Sequence, residues 1–431
     1  MESSVVEPAA KAKTTTTFDV IVVGAGVMGS SAAYQAAKRG EKTLLLEQYD
    51  FLHHRGSSHG ESRTIRATYP EDYYTPLVLE SYALWRRAES EVGYQVCFKS
   101  RQLDMGPAGS KTLRAVISTC RKHSLAFHEM DSRKIRDEFS CRIQIPDNWT
   151  AISTEHGGVI KPTKAVGMFQ TLAFKNGAVL RDNTEVKDIK RGENGGVLVV
   201  AANGEVFRGR KCVVTVGAWT RKLVKAVSGF EIPIQPLETR VCYWRIKEGH
   251  KRDYDLVGGG GGKGFPTFAS FGDPYVYGTP SLEFPGLIKV AVHNGYTCDP
   301  DDRPWGLGAV SMAALKEWIA AMFSGRVDPS GPVKTQLCMY SMTPDEDFVL
   351  DFLGGEFGKD VVVGGGFSGH GFKMAPAVGR VLADLALNGV AEGVELDKFR
   401  IRRFEGNRKG NVKDFEDQVN HAGFKGLRSS M

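Results

Sequence analysis

"FDVIVVGAGVMGSSAAYQAAKRGEKTLLLEQ", residues 18–48, is the stretch on which the fold turns. Residues 18–26 form an apolar run ending in glycines, the pattern of a buried strand. "VMGSSAAYQAAKR" (27–39) is small and helix-forming, and Gly40 stands where such a helix stops. "EKTLLLEQ" (41–48) is a second apolar run closed by an acid. Strand, helix and strand within about thirty residues make the β-α-β unit that a parallel sheet requires. Inside it, "GAGVMG" sets Gly24, Gly26 and Gly29 in GxGxxG spacing across the first strand-to-helix junction. The first glycine allows a tight turn, the second lets a pyrophosphate approach, and the third lets helix and strand pack. The helix N-terminus favours the same anion. Glu47 ends the second strand, where a carboxylate accepts hydrogen bonds from a ribose hydroxyl. With these pieces in register the unit points to a dinucleotide. The acid argues against NADP, whose 2′-phosphate it would repel, and leaves FAD and NAD open.

The same order returns near the other end of the chain. "DVVVGGGFSGHGFKMAPAVGRVLADLALNG" (360–389) reads as apolar strand, glycine turn, long helix and stop glycine. Between the two lie consecutive strands at 150–162 and 176–219, the latter punctuated by NGG and NGE turns. Residues 233–305 are rich in Gly, Pro and aromatics, with short strands such as "YVYG" and "LIKVAVH" and the flexible loop "VGGGGGKGFP". "SMAALKEWIAAMF" (311–323) is an amphipathic helix. A nucleotide domain assembled from both ends, interrupted by an inserted substrate domain, accounts for this order.

Composition sets the bounds. The 431 residues suit two or three domains, and 42% hydrophobic with 25% charged residues is a soluble globular balance. The net charge of +6 is scattered and fits an anionic cofactor or a carboxylate substrate. The one dense basic stretch, "FRIRRFEGNRKGNVK", is broken by glycine and followed by "DFEDQ", so it reads as a solvated face or tail and not as a nucleic-acid site. Seven widely spaced cysteines without a CxxC argue against a disulfide framework or structural zinc, and no metal is expected. No apolar run reaches the length of a membrane span. The leader "MESSVVEPAAKAKTTTT" lacks a secretory core and carries acids, so it reads as a disordered extension.

Three further segments carry cations. "GSSHGESRTIRATYPEDYY" (56–74) contains His59, Arg63 and Arg66; if helical, the spacing of three sets both guanidiniums on one face, able to grip an anion. Taken alone, the segment reads as an exposed loop with ordinary surface arginines. "GGGFSGHGFKMAP" (364–376) places His370 and Lys373 by a helix start, with Lys373 either solvated or aimed at an anion. "LIKVAVH" sets Lys289 and His293 on one strand face with Ala291 between them, facing either solvent or a cavity.

In the order "VIVVGAGVMGSSAAY", "GSSHGESRTIRATY", "CMYSMTPDEDFVLD" and "GGGFSGHGFKMAPAVG", the chain resembles the monomeric sarcosine oxidase family of amine-oxidising flavoenzymes, plant sarcosine oxidases and pipecolate oxidases among them. The resemblance runs from about Phe18 to about Asp414. It implies an α/β, two-domain flavoprotein oxidase with a Rossmann-like FAD-binding domain and an α+β substrate domain on a mixed β-sheet. The FAD-binding domain would comprise 18–97, 159–234 and 345–413, and the substrate domain 98–158 and 235–344, between a leader (1–17) and a tail (414–431).

The resemblance implies FAD bound covalently through Cys338, oxidation of a secondary or tertiary amino acid to an imine, and O2 reduced to hydrogen peroxide. Arg66 and Lys373 match residues that hold the substrate carboxylate, and Tyr277 and Tyr340 match pocket aromatics. Arg63 matches a flavin-side arginine that assists attachment and catalysis, Lys289 the lysine where reduced flavin meets O2, and His293 an active-site histidine. Flavin contacts are expected from Gly24, Ala25, Gly26, Met28, Gly29 and Glu47. They are expected also from Ser57, Ser58, His59, Ser62 and Arg63, and from Val186, Gly217 and Trp219. The C-terminal set is Cys338, Met339, Gly369, His370, Gly371 and Lys373. Ser62 departs from the threonine of bacterial members, and the unusual loop 247–274 bears on substrate identity. The partners implied are a small amino acid and O2, acting on a monomer with no nucleic acid and no membrane. The final "LRSSM" keeps the serine of a peroxisomal SKL-type address but not its lysine and leucine. Because a peroxide-forming oxidase belongs beside catalase, a peroxisomal location is expected.

Overall fold

The computed structural model describes residues 17–257, 264–305 and 312–413. The chain opens with β1 (Thr17–Val23), α1 (Val27–Lys38), β2 (Thr43–Leu46), β3 (Arg63–Arg66), α2 (Tyr74–Val92) and β4 (Cys97–Pro107). Next come α3 (Lys111–Lys122), β5 (Phe127–Met130), α4 (Ser132–Glu138), β6 (Trp149–Ile160) and α5 (Pro162–Lys175). β7 (Val179–Arg181), β8 (Val186–Arg191), β9 (Val197–Ala201) and β10 (Val206–Val214) lead to α6 (Thr220–Ser228). β11 (Gln235–Arg245), β12 (Thr267–Ser270), β13 (Val276–Thr279), β14 (Leu287–Val292) and β15 (Tyr296–Thr297) precede α7 (Ala313–Met322). β16 (Lys334–Met342), β17 (Val349–Phe352), β18 (Val361–Gly365) and α8 (Ala375–Asn388) complete the order.

Two sheets divide these strands. The first runs β17-β18-β10-β1-β2-β7, with β18, β10, β1, β2 and β7 parallel and the β8–β9 ribbon paired onto β10. β1 shows why its sequence is apolar throughout. Val20 and Val22 face a core shared with α1 and α8, while Ile21 and Val23 face a second core on the opposite side. A strand covered on both faces has no polar alternation to display. The small residues of α1 have a matching cause. A Cβ on Gly379 of α8 would lie 2.2 Å from Ser31 Oγ, so two helices pack against the sheet almost backbone to backbone.

The second sheet runs β15-β11-β14-β13-β12-β4-β6-β3, with β16 paired to β11 and β5 to β6. It is mixed, since β12 and β4 run parallel while the other pairs are antiparallel. Its outer face is closed by α7, whose Trp318 stacks on Phe268 with centroids 5.8 Å apart. The architecture is α/β with two sheets, and the strands of the first come from 17–46, 179–214 and 349–365. One strand inside 18–97 departs from the expected division, because β3 joins the second sheet.

Two expectations are corrected. Residues 63–66 are neither helix nor exposed loop: β3 pairs antiparallel with β6, Arg63 opposite Ile160 and Arg66 opposite Gly157. The tail segment "FRIRRFEGNRKGNVK" is not a solvated face throughout. Arg403 and Lys413 form buried ion pairs with Asp345 and Asp347, both in the turn after β16. Residues 1–16 of the leader and the final "LRSSM" lie outside the described residues, as do residues 258–263 of the 247–274 loop, while Thr17 already belongs to β1.

Candidate active site

The turn from β1 into α1 explains the spacing of its glycines. Gly24 has φ +95°, and a Cβ there would lie 2.6 Å from the Thr215 carbonyl of the neighbouring segment. A Cβ on Gly29 would lie 1.8 Å from the Gly24 carbonyl, so helix and strand meet only if that residue is glycine. The turn is held open by side chains from elsewhere. Glu47 Oε2 accepts from the Ala25 amide at 2.9 Å, and Ser58 Oγ accepts from the Val27 amide at 3.0 Å. Without a helical partner of their own, these first-turn amides suit an anion or a capping oxygen.

A cavity of about 350 Å³ starts at this turn. It passes Glu47, Ser57 and Ser58, then Val186, Gly217 and Trp219, and ends against Cys338, Met339, Gly369 and Gly371. Ala25 and Met28 also line it. Gly29, His59 and Ser62 stand behind its wall. His59 is 4% exposed, and neither of its ring nitrogens has a partner among the described residues. Burial and the nearby Arg63 charge push its pKa down to about 3, so the ring is neutral. The glycine cradle, the helix N-terminus and the acid at the strand end fit an extended dinucleotide such as FAD.

A second cavity of about 180 Å³ adjoins the far end of the first. The two share Arg63, Cys338, Tyr340, Gly369 and Phe372. Besides Lys413, which is paired with Glu71 and Asp347, four cations from three separate stretches line the second: Arg63 and Arg66 of β3, Lys289 of β14, and Lys373 before α8. Although Arg63 and Arg66 are three apart on the edge strand β3, both line this space. Among the described residues none of the four lies within ion-pair distance of a carboxylate. Arg66 donates to Tyr275 Oη at 3.3 Å and to Thr68 Oγ1 at 3.5 Å. Lys373 Nζ donates to Tyr69 Oη at 2.9 Å and to the His370 carbonyl at 2.8 Å. Burial, with Arg66 nearby, holds the Lys373 pKa well below the usual lysine range.

Lys289 is 2% exposed and donates to the Ser62 carbonyl at 3.1 Å, with its ammonium over the Tyr277 ring. Burial and the Arg63 charge push its pKa down to about 7, against the opposing pull of Glu283. The solvent-facing alternative for the 289–293 face is thereby excluded. His293 lies between Tyr275 and Tyr340, with centroids at 5.3 and 5.2 Å. Tyr277 and Tyr340 approach oxygen to oxygen at 3.4 Å. Gly369, with φ +76°, lets the backbone come so close that a Cβ would sit 2.9 Å from both His293 and Tyr340. His370 contacts Tyr69 at 3.2 Å and the Glu346 carbonyl at 2.9 Å, and burial holds it neutral.

At the shared wall, Arg63 Nη2 lies 3.2 Å from Cys338 Sγ while also donating to the carbonyls of Ser57 and His59. Tyr69 and Tyr275 were not singled out from the sequence. Tyr69 stands three residues after Arg66 in the "RATY" stretch, and Tyr275 two before Tyr277 in "YVYG", so spacing on a shared strand face offered a signal for the latter.

A dinucleotide cradle leading into a cationic pocket defines an FAD-dependent oxidoreductase, and residues 19–385 match the family model described as DAO, FAD dependent oxidoreductase. Within that class the chain belongs to the sarcosine oxidase family. It is 67% identical over 406 residues to a probable sarcosine oxidase of Arabidopsis thaliana, covering 93% of this chain and 96% of that one. It is 34% identical to a peroxisomal sarcosine oxidase of Homo sapiens, covering 90% and 96%. Among solved structures, the fold matches the open form of NikD, an unusual amino acid oxidase, with a TM-score of 0.73 at 24% identity over 90% of this chain and 98% of that one. The protein is therefore an FAD-dependent amino acid oxidase acting on amines.

Proposed function

We propose that the chain oxidises a small secondary amino acid, sarcosine or a cyclic relative such as L-pipecolate, to its imine, with FAD held covalently at Cys338 and O2 reduced to hydrogen peroxide. The observation that carries this reading is the second cavity. Four cations, Lys289 and Lys373 buried and Arg63 and Arg66 half-buried, have no carboxylate within ion-pair distance among the described residues and surround a space that shares Cys338 with the FAD cavity. Buried positive charge is costly unless an anion completes it, and a substrate carboxylate is that anion. Bound FAD supplies the acceptor for the hydride lost from the carbon beside nitrogen, and passes both electrons to O2.

The chain's own residues do the rest. Arg66 and Lys373 clamp the carboxylate and so orient the C–N bond. The same cations disfavour a second positive charge nearby, which drives the amine to its neutral form with a free lone pair. Tyr277, Tyr340 and His293 bound the space left for the substituent on nitrogen. Lys289 and Arg63 stabilise negative charge that develops during O2 reduction. A monomer as the working unit is supported by the name of a Bacillus relative, a monomeric sarcosine oxidase. A peroxisomal location is supported by the name of the human relative.

The test is anaerobic bleaching of the flavin with sarcosine, L-pipecolate, L-proline and bulkier N-methyl amino acids. Bleaching by one of the first three, and peroxide on readmitting air, is expected; no bleaching by any of them overturns the reading. For the attachment, acid precipitation is expected to leave yellow colour in the pellet of the native protein and none in that of Cys338→Ser.

A further inference from the structure

Cys338 is gripped from two sides. Arg63 reaches its sulfur, as described. On the backbone side a second arginine, Arg303, comes from the segment after β15 and places one guanidinium nitrogen on each of three acceptors. Nη2 donates to the Cys338 carbonyl at 2.9 Å, Nε to Glu238 Oε2 at 2.8 Å, and Nη1 to the Arg55 carbonyl at 3.1 Å. The side chains of Arg303 and Glu238 are each 2% exposed. Glu238 lies on β11 directly beside the residue that pairs with Cys338, since Thr239 faces Cys338 and Glu238 faces Met339. β16 pairs with β11 alone among the described strands, so nothing else of the sheet fixes its far edge at Cys338.

We propose that Arg303, buttressed by Glu238, is a positioning residue for flavin attachment: it locks the backbone of Cys338 against the loop that carries Ser57 and Ser58, and so aims the sulfur at the flavin ring edge. This rests on the reading of Cys338 as the attachment point. Attachment joins the Cys338 sulfur to a methyl carbon of the ring. The S–H and one C–H bond break, and the two protons and two electrons released go to O2 as hydrogen peroxide. Such a bond forms only if sulfur and methyl carbon are held within contact distance, which a free edge strand does not ensure.

A guanidinium suits this task where an ammonium does not. Its planar fork fixes three acceptors in one geometry, whereas lysine presents a point charge with rotatable donors. A buried ion pair is weak evidence for stability, because apolar side chains of the same size serve as well. Its geometric content is what remains to be explained, and the acceptors it joins are the two segments that meet at the sulfur.

The experiment follows covalent flavin over time in purified protein incubated in air with added FAD. Flavin retained in the acid pellet is compared with total bound flavin. Two variants are used: Arg303→Lys keeps the charge, and Arg303→Met with Glu238→Gln removes both charges so that no lone buried ion remains. In both, total bound flavin and the thermal midpoint are expected to stay near native while attachment slows at least tenfold. Unchanged attachment rates overturn the proposal. So does loss of total flavin in step with attached flavin, which would make Arg303 a support of the pocket and not an aiming device. If Cys338→Ser itself retains flavin in the pellet, the attachment reading has failed instead.

Discussion

Lys289 carries two opposing demands in one side chain. It is buried among Arg63, Tyr277 and Tyr243, and burial is the first cause of its lowered pKa. Yet its proposed service to O2 needs the ammonium form. The sign follows directly: below a folded pKa of about 7 the ammonium is present, and above it the charge is lost. The rate of flavin reoxidation by O2, measured by stopped flow, is therefore expected to fall as pH rises through about 7. Lys289→Met should remove that dependence and slow reoxidation by at least about tenfold, roughly 1.4 kcal/mol, while anaerobic reduction by substrate persists. If both half-reactions fall together, Lys289 acts on substrate and not on O2. Arg66 makes the complementary case. Its guanidinium is always charged, is half-buried beside Tyr69 and Asp104, and donates to Tyr275. Arg66→Met should weaken binding of a carboxylate ligand by about 2–5 kcal/mol, read from the flavin spectrum, because one arm of the charge clamp is gone.

Among the elements, the β1-turn-α1 unit is the one whose sequence dictates its geometry most tightly. Gly29→Ala would place a methyl 1.8 Å from the Gly24 carbonyl, a clash with backbone that no rotamer relieves. The expected outcome is loss of bound FAD and a stability loss of about 3 kcal/mol, measured by urea unfolding. Gly40→Ala is the control: nothing lies within 4 Å of its Cβ, and φ +87° alone makes it unfavourable. This unit was legible in the sequence because each of its constraints is local. The cavity face of β14 was legible only as one of two alternatives, because periodicity shows that Lys289 and His293 share a face without showing which way it turns. β3 was not legible. Its partner β6 lies far along the chain, and a polar "RTIR" between Ser62 and Ala67 carries no strand signal until Gly157 and Gly158 are found opposite it.

At the scale of the molecule, the basic C-terminal segment acts as a strap. Arg403 donates to both carboxylate oxygens of Asp345, at 2.7 and 3.2 Å, and Lys413 joins Asp347, Glu71 and Tyr73. Its charges read as solvated because their partners lie in the "TPDED" turn, which composition alone does not bring near. Arg403→Met leaves Asp345 buried without its partner, and a loss of about 3–5 kcal/mol in unfolding free energy is expected. A shift of the denaturation midpoint no larger than that of an exposed substitution such as Arg402→Met would show that the strap is decorative.

The FAD-side sheet has a further consequence. β1, β10 and β18 are hydrogen-bonded neighbours, yet they come from the beginning, the middle and the last part of the chain. A nascent polypeptide leaves the ribosome N-terminus first, at roughly 5–20 residues per second. The opening β-α-β unit is therefore exposed for tens of seconds, on the order of the whole synthesis time, before β18 arrives to flank β10. During that interval the glycine turn exists without its far wall, and Cys338 has not yet met the loop at 55–59. The complete cofactor cavity thus exists only once β16 and the segment after β18 have joined the opening unit, and until then the parallel sheet lacks β18.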